Sequence, residues 1–173
     1  MKAILSLKLV LIVFCLAIVS SRLTAQDEMK KPDPIKSATF DMLMGVWEAE
    51  PYEMMGSKWN ETANHYMKHG QFMFVDIQGI DDKGQTYNGT VVIKPAMDGS
   101  FTGWAFDDWG QVSTYTGTVK GNKISLTGKS DWGSETREIE IDGSNMVHKC
   151  VFNMKGADGK ETTSNHTFTY HKK

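Results

Sequence analysis

Cysteine is nearly absent: the 173 residues hold only Cys15 and Cys150. Cys15 lies in an N-terminal apolar run, so loss of that run leaves Cys150 alone and excludes an intramolecular disulfide. A single cysteine then reads as a small apolar core residue. Arginine is as scarce, with Arg22 and Arg137 only. Positive charge is not in excess, because 19 Lys and Arg face 21 Asp and Glu for a net charge of −2. Residues 1–25 carry Lys2, Lys8, Arg22 and no acid, so the remainder stands at −5. That sign offers no footprint for nucleic acid and no polybasic membrane anchor. The longest apolar run, Leu9–Val19, falls short of the roughly 20 residues that span a bilayer. The sequence also has no P-loop, no Gly-rich dinucleotide fingerprint, no Ser–His–Asp order and no Cys-x-x-Cys-His haem attachment motif. No catalytic constellation is recognised, which points away from an enzyme.

What is present begins with a leader. Lys2 and Lys8 precede the run Leu9–Val19, Ser20 and Ser21 end it, and Leu23-Thr24-Ala25 stands before Gln26. This is the pattern of a secretory signal peptide over 1–25, which makes the protein an exported one, periplasmic or extracellular, with no membrane span after cleavage. Cys15 sits inside the run after Phe14 rather than at its end behind a small residue, so a lipid-modified cysteine is rejected. Residues 26–36 are polar and read as a flexible leader. One domain of 37–173 remains. Asn60, Asn88 and Asn165 match the glycosylation acceptor pattern.

Ser37 is placed to cap a short helix in which Phe40, Leu43 and Met44 share a face, with Gly45 closing it. After Gly45 no helical period recurs. Short runs follow every 10–13 positions, and ten strands are expected at 46–50, 59–68, 71–79, 86–96, 100–107, 111–119, 123–129, 135–142, 145–154 and 162–171. Between them Lys68-His69-Gly70, Asp81-Asp82-Lys83-Gly84, Asp98-Gly99, Lys120-Gly121-Asn122, Asp142-Gly143-Ser144 and Asp158-Gly159 supply hairpin turns. Ten antiparallel strands must hide their edges. An all-β, antiparallel up-and-down β-barrel does this, with a sandwich as the other arrangement.

Alternation assigns the inner faces. Met146, His148, Cys150, Phe152 and Met154 share one face, as do Ser164, His166, Phe168 and Tyr170, and Arg137 falls with Ile139 and Ile141. Runs 71–79 and 100–107 are apolar on both faces. Polar residues therefore recur inside, namely His148, His166 and Arg137, with His65 a further candidate. A dry core avoids such groups, whereas a barrel with a partly wet cavity tolerates them. The candidate ligand-binding residues are Met146, His148, Phe152, His166, Phe168 and Tyr170. Eleven methionines among aromatics suit an adaptable apolar lining.

Phe40-x-x-Leu43-Met44-Gly45-Val46-Trp47 resembles the opening of calycin-type barrels, the lipocalins, fatty-acid-binding proteins and their relatives. That resemblance implies that Trp47 packs across the barrel floor against a basic side chain from a late strand, with Arg137 as the candidate. The chain is also similar to a bacterial secreted lipocalin-like family of unknown function. The shared features are the Leu-x-Gly-x-Trp opening, the run Gly103-Trp104-Ala105-Phe106-Asp107-Asp108-Trp109-Gly110 and the strand Tyr115-Thr116-Gly117-Thr118-Val119. This implies a barrel over most of 38–171 and no established activity. More distantly it resembles nitrobindin-type barrels, which bind haem through a His on the last strand, and His166 holds a comparable place. Ala49 and Pro51 stand where those chains carry glycines.

His65 and His69 have the i, i+4 spacing of a helical metal pair. On a strand four residues span about 13 Å, so they read as solvated histidines and no metal is assigned. His148 and His166, on neighbouring strands, read as hydrogen-bonded interior histidines before they read as ligands. Asp107-Asp108-Trp109-Gly110 and Ser130-Asp131-Trp132-Gly133 are alike, and read as turns whose Asp side chains bond local backbone N–H groups, or as rim loops presenting Trp. Together these observations lead to non-enzymatic binding of a small apolar or amphipathic molecule in the barrel, with no cofactor. The alternatives are a filled structural or protein-interaction barrel, and a haem-binding barrel using His166.

Overall fold

In the computed structural model residues 31–156 and 159–173 are described, and the signal-peptide expectation lies outside them. The unit Pro34–Lys173 opens with helix α1 (Ala38–Leu43), capped by Ser37, whose side chain accepts from Phe40 N. The helix closes at Met44. Gly45, expected to close it, instead begins the first strand with φ +112°.

Eleven strands follow. They are β1 (Gly45–Ala49), β2 (Tyr52–Met54), β3 (Ser57–Lys68), β4 (Phe72–Asp81), β5 (Thr86–Pro95), β6 (Ser100–Asp107), β7 (Val112–Lys120), β8 (Lys123–Ser130), β9 (Gly133–Asp142), β10 (Asn145–Lys155) and β11 (Glu161–Lys172). From β3 to β11 each pairs antiparallel with the next. β1 then pairs with both β11 and β3, which closes a ten-stranded up-and-down barrel. β2 adds a short hairpin partner to β3. The expected barrel is observed, and the unforeseen element is β2, three residues too brief to show alternation. The turn glycines Gly70, Gly84, Gly99, Gly121, Gly143 and Gly159 all have positive φ, the backbone that such turns demand.

One end of the barrel is shut by α1. Ile35 N donates to Gly70 O at 2.9 Å, and Thr39 Oγ1 donates to Gly121 O, so the segment spans the β3–β4 and β7–β8 turns. Phe40 meets Phe101 edge-on at 6.3 Å. Beneath it lie Leu43, Trp47, Met73, Ile124, Ile141 and Met146, all buried, with Cys150 beside them. Trp47 is wholly inaccessible, and its Nε1 donates to Leu43 O at 2.6 Å.

The cation over Trp47 is Lys172, whose Nζ lies 5.4 Å from the ring, and not Arg137. The register explains the correction: β1 pairs with β11, and Trp47 faces Lys172 directly. Arg137, on β9, has β8 and β10 for neighbours and bonds within the interior. Lys172 Nζ also donates to Met42 O at 3.1 Å, tying the last strand to the helix.

The two faces that sequence left open are now assigned. Met73, Val75 and Ile77 line the interior, as do Phe101 and Ala105, while Trp104 and Phe106 are outside, 38% and 48% exposed.

Candidate functional site

The interior holds a cavity of about 620 Å³. Phe40 and Leu43 floor it, and Met55, Trp109, Lys129 and Trp132 belong to the other end. The expected ligand residues Met146, His148, Phe152, His166, Phe168 and Tyr170 all contribute to its wall. Their convergence follows from pairing, since His148 opposes Phe168, Met146 opposes Tyr170 and Cys150 opposes His166. Opposed residues of an antiparallel pair share a face. Tyr52 meets Phe168 edge-on at 4.6 Å, and His166 stacks parallel to Phe168 at 5.9 Å.

Two polar clusters interrupt this apolar wall. In the first, Glu61 of β3 accepts from two tyrosines: Tyr52 Oη at 2.8 Å and Tyr170 Oη at 2.6 Å. β2 thus lies against the wall through Tyr52, tied to β3 and, through Glu61, to β11. Burial, reinforced by the Glu61 charge, holds both phenols far above their ordinary range. In the second, Arg137 Nη2 donates to Glu135 Oε2 at 2.8 Å, and Arg137 Nη1 lies 3.3 Å from His148 Nδ1. Burial opposes the Arg137 cation, but the Glu135 carboxylate more than offsets it and the guanidinium is held charged. Since arginine only donates, His148 accepts at Nδ1 and carries its proton on Nε2. Burial first, and then the Arg137 charge, press the His148 ring well toward neutrality.

Among the described residues three buried side-chain nitrogens have no partner: His148 Nε2, Arg137 Nε and His65 Nδ1. His65 corrects the solvated reading. It sits inside β3 opposite Val75, 7% exposed, and burial lowers it to about 4. His69 does lie in a turn, with φ +58°. Among the described residues no three His, Cys, Asp or Glu side chains are grouped so as to hold a metal.

Sequence reasoning passed over Glu61, Glu135 and Tyr52. The alternation that found Arg137 also contains Glu135 two residues earlier, and Trp59-x-Glu61-x-Ala63-x-His65 contains Glu61. Both signals were legible. Tyr52 gave none, because β2 is too short. The second cluster also depends on a glycine: a Cβ on Gly128 would lie 2.5 Å from Tyr115 Cε1 and 2.9 Å from Glu135 Cγ.

The two Trp loops combine both expectations. Asp107 Oδ1 accepts from Trp109 N at 3.1 Å and Gln111 N at 2.8 Å. In the second loop Ser130 Oγ, rather than Asp131, accepts from Trp132 N at 3.2 Å. Gln111 Nε2 donates to the same Ser130 Oγ at 3.1 Å and joins the loops. Trp109 and Trp132 are 38% and 41% exposed and border the cavity. Trp109 packs edge-on against Trp59 and Tyr87 at 6.4 and 5.7 Å.

The haem alternative rests on the His166 ring. An axial ligand needs a free ring nitrogen and an open approach. His166 Nε2 lies 3.2 Å from Ser164 Oγ, and its ring is held between Phe168 and Phe152.

The fold and cavity define a closed antiparallel β-barrel with a lined interior. Among solved structures the chain is similar to Rv2717c from M. tuberculosis, at 15% identity and TM-score 0.62, covering 80% of this chain and 99% of that one. A redesigned β-barrel, mFAP1, bound to DFHBI, matches at 12% identity and TM-score 0.45 over 79% of this chain and all of that one. No family model and no curated protein matches the chain. The likeness to Rv2717c establishes the barrel alone.

Proposed function

We propose that this protein binds one small apolar or amphipathic molecule inside its barrel, without chemistry, as an exported member of the lipocalin-like group its opening motif resembles. The observation that carries the reading is the cavity of about 620 Å³. It lies within the roughly 300–1,000 Å³ of small-molecule sites, and it has their makeup, an apolar wall with a few convergent polar groups. That volume weighs against a filled barrel. Trp59, Trp109 and Trp132 at the open end suit the entry of an apolar ligand.

The test uses native mass spectrometry of the purified protein for a co-purifying molecule, followed by titration with Nile red. One saturable site is expected, and Phe168→Trp should weaken it at least fivefold with the unfolding midpoint retained. Absence of any bound species and of saturable dye binding would refute the reading. Hemin titrated under the same conditions should give no saturable Soret band at 1:1. Export rests on the leader pattern, and N-terminal sequencing of secreted protein should begin near Gln26.

A further inference from the structure

The wall of the cavity also bears on the chemistry of the ligand's head. Arg137 has five N–H donors. One goes to Glu135 and one to His148 Nδ1, and its Nε has no partner in the protein. About a quarter of the Arg137 side chain, 24%, remains accessible, and the residue lines the cavity. Beside it His148 is 93% buried, since its exposure is 7%, and carries a second unpartnered donor at Nε2. Beyond these buried nitrogens, Nη1 and Nη2 each keep one further N–H on the partly accessible guanidinium, so donors are in surplus and a ligand oxygen that accepts hydrogen bonds would answer the Nη groups.

Charge decides which kind of oxygen. The Arg137 cation is already matched by Glu135 at 2.8 Å. Across the same cavity Glu61 carries a further carboxylate, engaged by two neutral tyrosine hydroxyls and by no cation. The inner wall thus holds two carboxylates and one guanidinium. Toward the open end Asp107 is spent on its turn, and Lys129 is exposed at the rim. An incoming carboxylate would add a second unmatched negative charge to a poorly solvated interior, where like charges are weakly screened. An incoming ammonium would find Glu61 but would also face the surplus donors.

We infer that the barrel selects an uncharged amphiphile whose head is a hydrogen-bond acceptor, a ketone or ester oxygen, and disfavours a fatty carboxylate of the same length. This rests on the small-molecule reading above and names the ligand class for that site.

The experiment compares 2-dodecanone, dodecanoate and dodecylammonium, each displacing Nile red from the purified protein at pH 7.5. The ketone is expected to bind at least tenfold more tightly than either charged probe. Glu61→Gln, which keeps the shape and a hydrogen-bonding head, should raise dodecanoate affinity at least fivefold and leave the ketone within twofold. Glu135→Gln, which frees the Arg137 charge, should raise dodecanoate still more. Because the Glu135 variant risks misfolding, near-ultraviolet circular dichroism and retained ketone binding qualify it, and the Glu61 variant stands independently. Dodecanoate or dodecylammonium binding as tightly as the ketone to the unaltered protein would overturn the inference while leaving the binding function standing. Failure of Glu61→Gln to raise dodecanoate affinity would also overturn it. Failure of Nile red and all three probes to bind would overturn both.

Discussion

Trp47 is where the fold can be tested most sharply. Its side chain is wholly buried against the helix that shuts the barrel. A buried Trp removes about 150–250 Å² from water, worth roughly 4–6 kcal/mol at about 25 cal/mol per Å². The methyl left by Trp47→Ala keeps a small part of this, and measured truncations of this kind cost about 3–5 kcal/mol. The indole also donates to Leu43 O at 2.6 Å. Stranding that carbonyl adds about 1–3 kcal/mol unless water reaches it. Whole domains are stable by only about 5–15 kcal/mol, so Trp47→Ala should bring the protein close to unfolding at room temperature. Trp47→Phe separates the contributions. It keeps an aromatic face for Lys172 and loses the donor, so about 1–3 kcal/mol is expected, most of it from the carbonyl. Guanidinium unfolding followed by far-ultraviolet circular dichroism measures both. A Trp47→Ala midpoint equal to that of the unaltered protein would refute the role of Trp47 as the anchor between α1, β1 and β11.

Cys150 is 2% exposed, and burial pushes its thiol up to about 11; a disulfide reagent at pH 7.5 should label it at least a hundredfold faster in denaturant than in the native state, and fast native labelling would contradict the assigned inner face. His65 drops from an ordinary value near 6.5 to about 4 on burial. The unfolded chain therefore takes up its proton first, and His65 stabilises the fold above about pH 6.5, a contribution lost as pH falls toward 4 and worth about 3 kcal/mol at most. His148, lowered by burial and by Arg137, acts in the same direction. In urea unfolding from pH 7.5 to 4.5, His65→Leu should lose less stability than the unaltered protein; an unchanged slope would sink the assignment. Gly128→Ala should cost about 1–3 kcal/mol by overpacking against Tyr115 and Glu135, and an unshifted thermal midpoint would show that those side chains give way freely.

The barrel was legible in the sequence because its signals are local. Asp-Gly and Lys-Gly-Asn turns fix where strands stop, and period-two alternation fixes which side of β9, β10 and β11 is inside, since a side chain's face depends only on its position along its own strand. By the same local rule Met146, His148, Phe152, His166, Phe168 and Tyr170 could be set on one wall before any coordinate was known.

Partnership across the barrel was not legible. Which cation lies over Trp47 depends on β1 meeting β11 in the register that opposes Trp47 to Lys172, and no local pattern carries that offset. By sequence Arg137 is the better partner, yet strand order gives it to Glu135 and His148. β4 and β6, apolar on both faces, gave no alternation to read. Closure of the sheet decided them, turning Met73 and Phe101 inward and leaving Trp104 and Phe106 outside. Glu61 shows the same division. Alternation with Trp59 and His65 could give its face, and the β2–β3 hairpin brings Tyr52 to one oxygen from 9 residues away, but only closure of the barrel brings Tyr170 to the other across 109 residues of chain. A sequence encodes periodicity along each strand; the pairing of charges and donors across the interior exists only once closure has set the distances between strands.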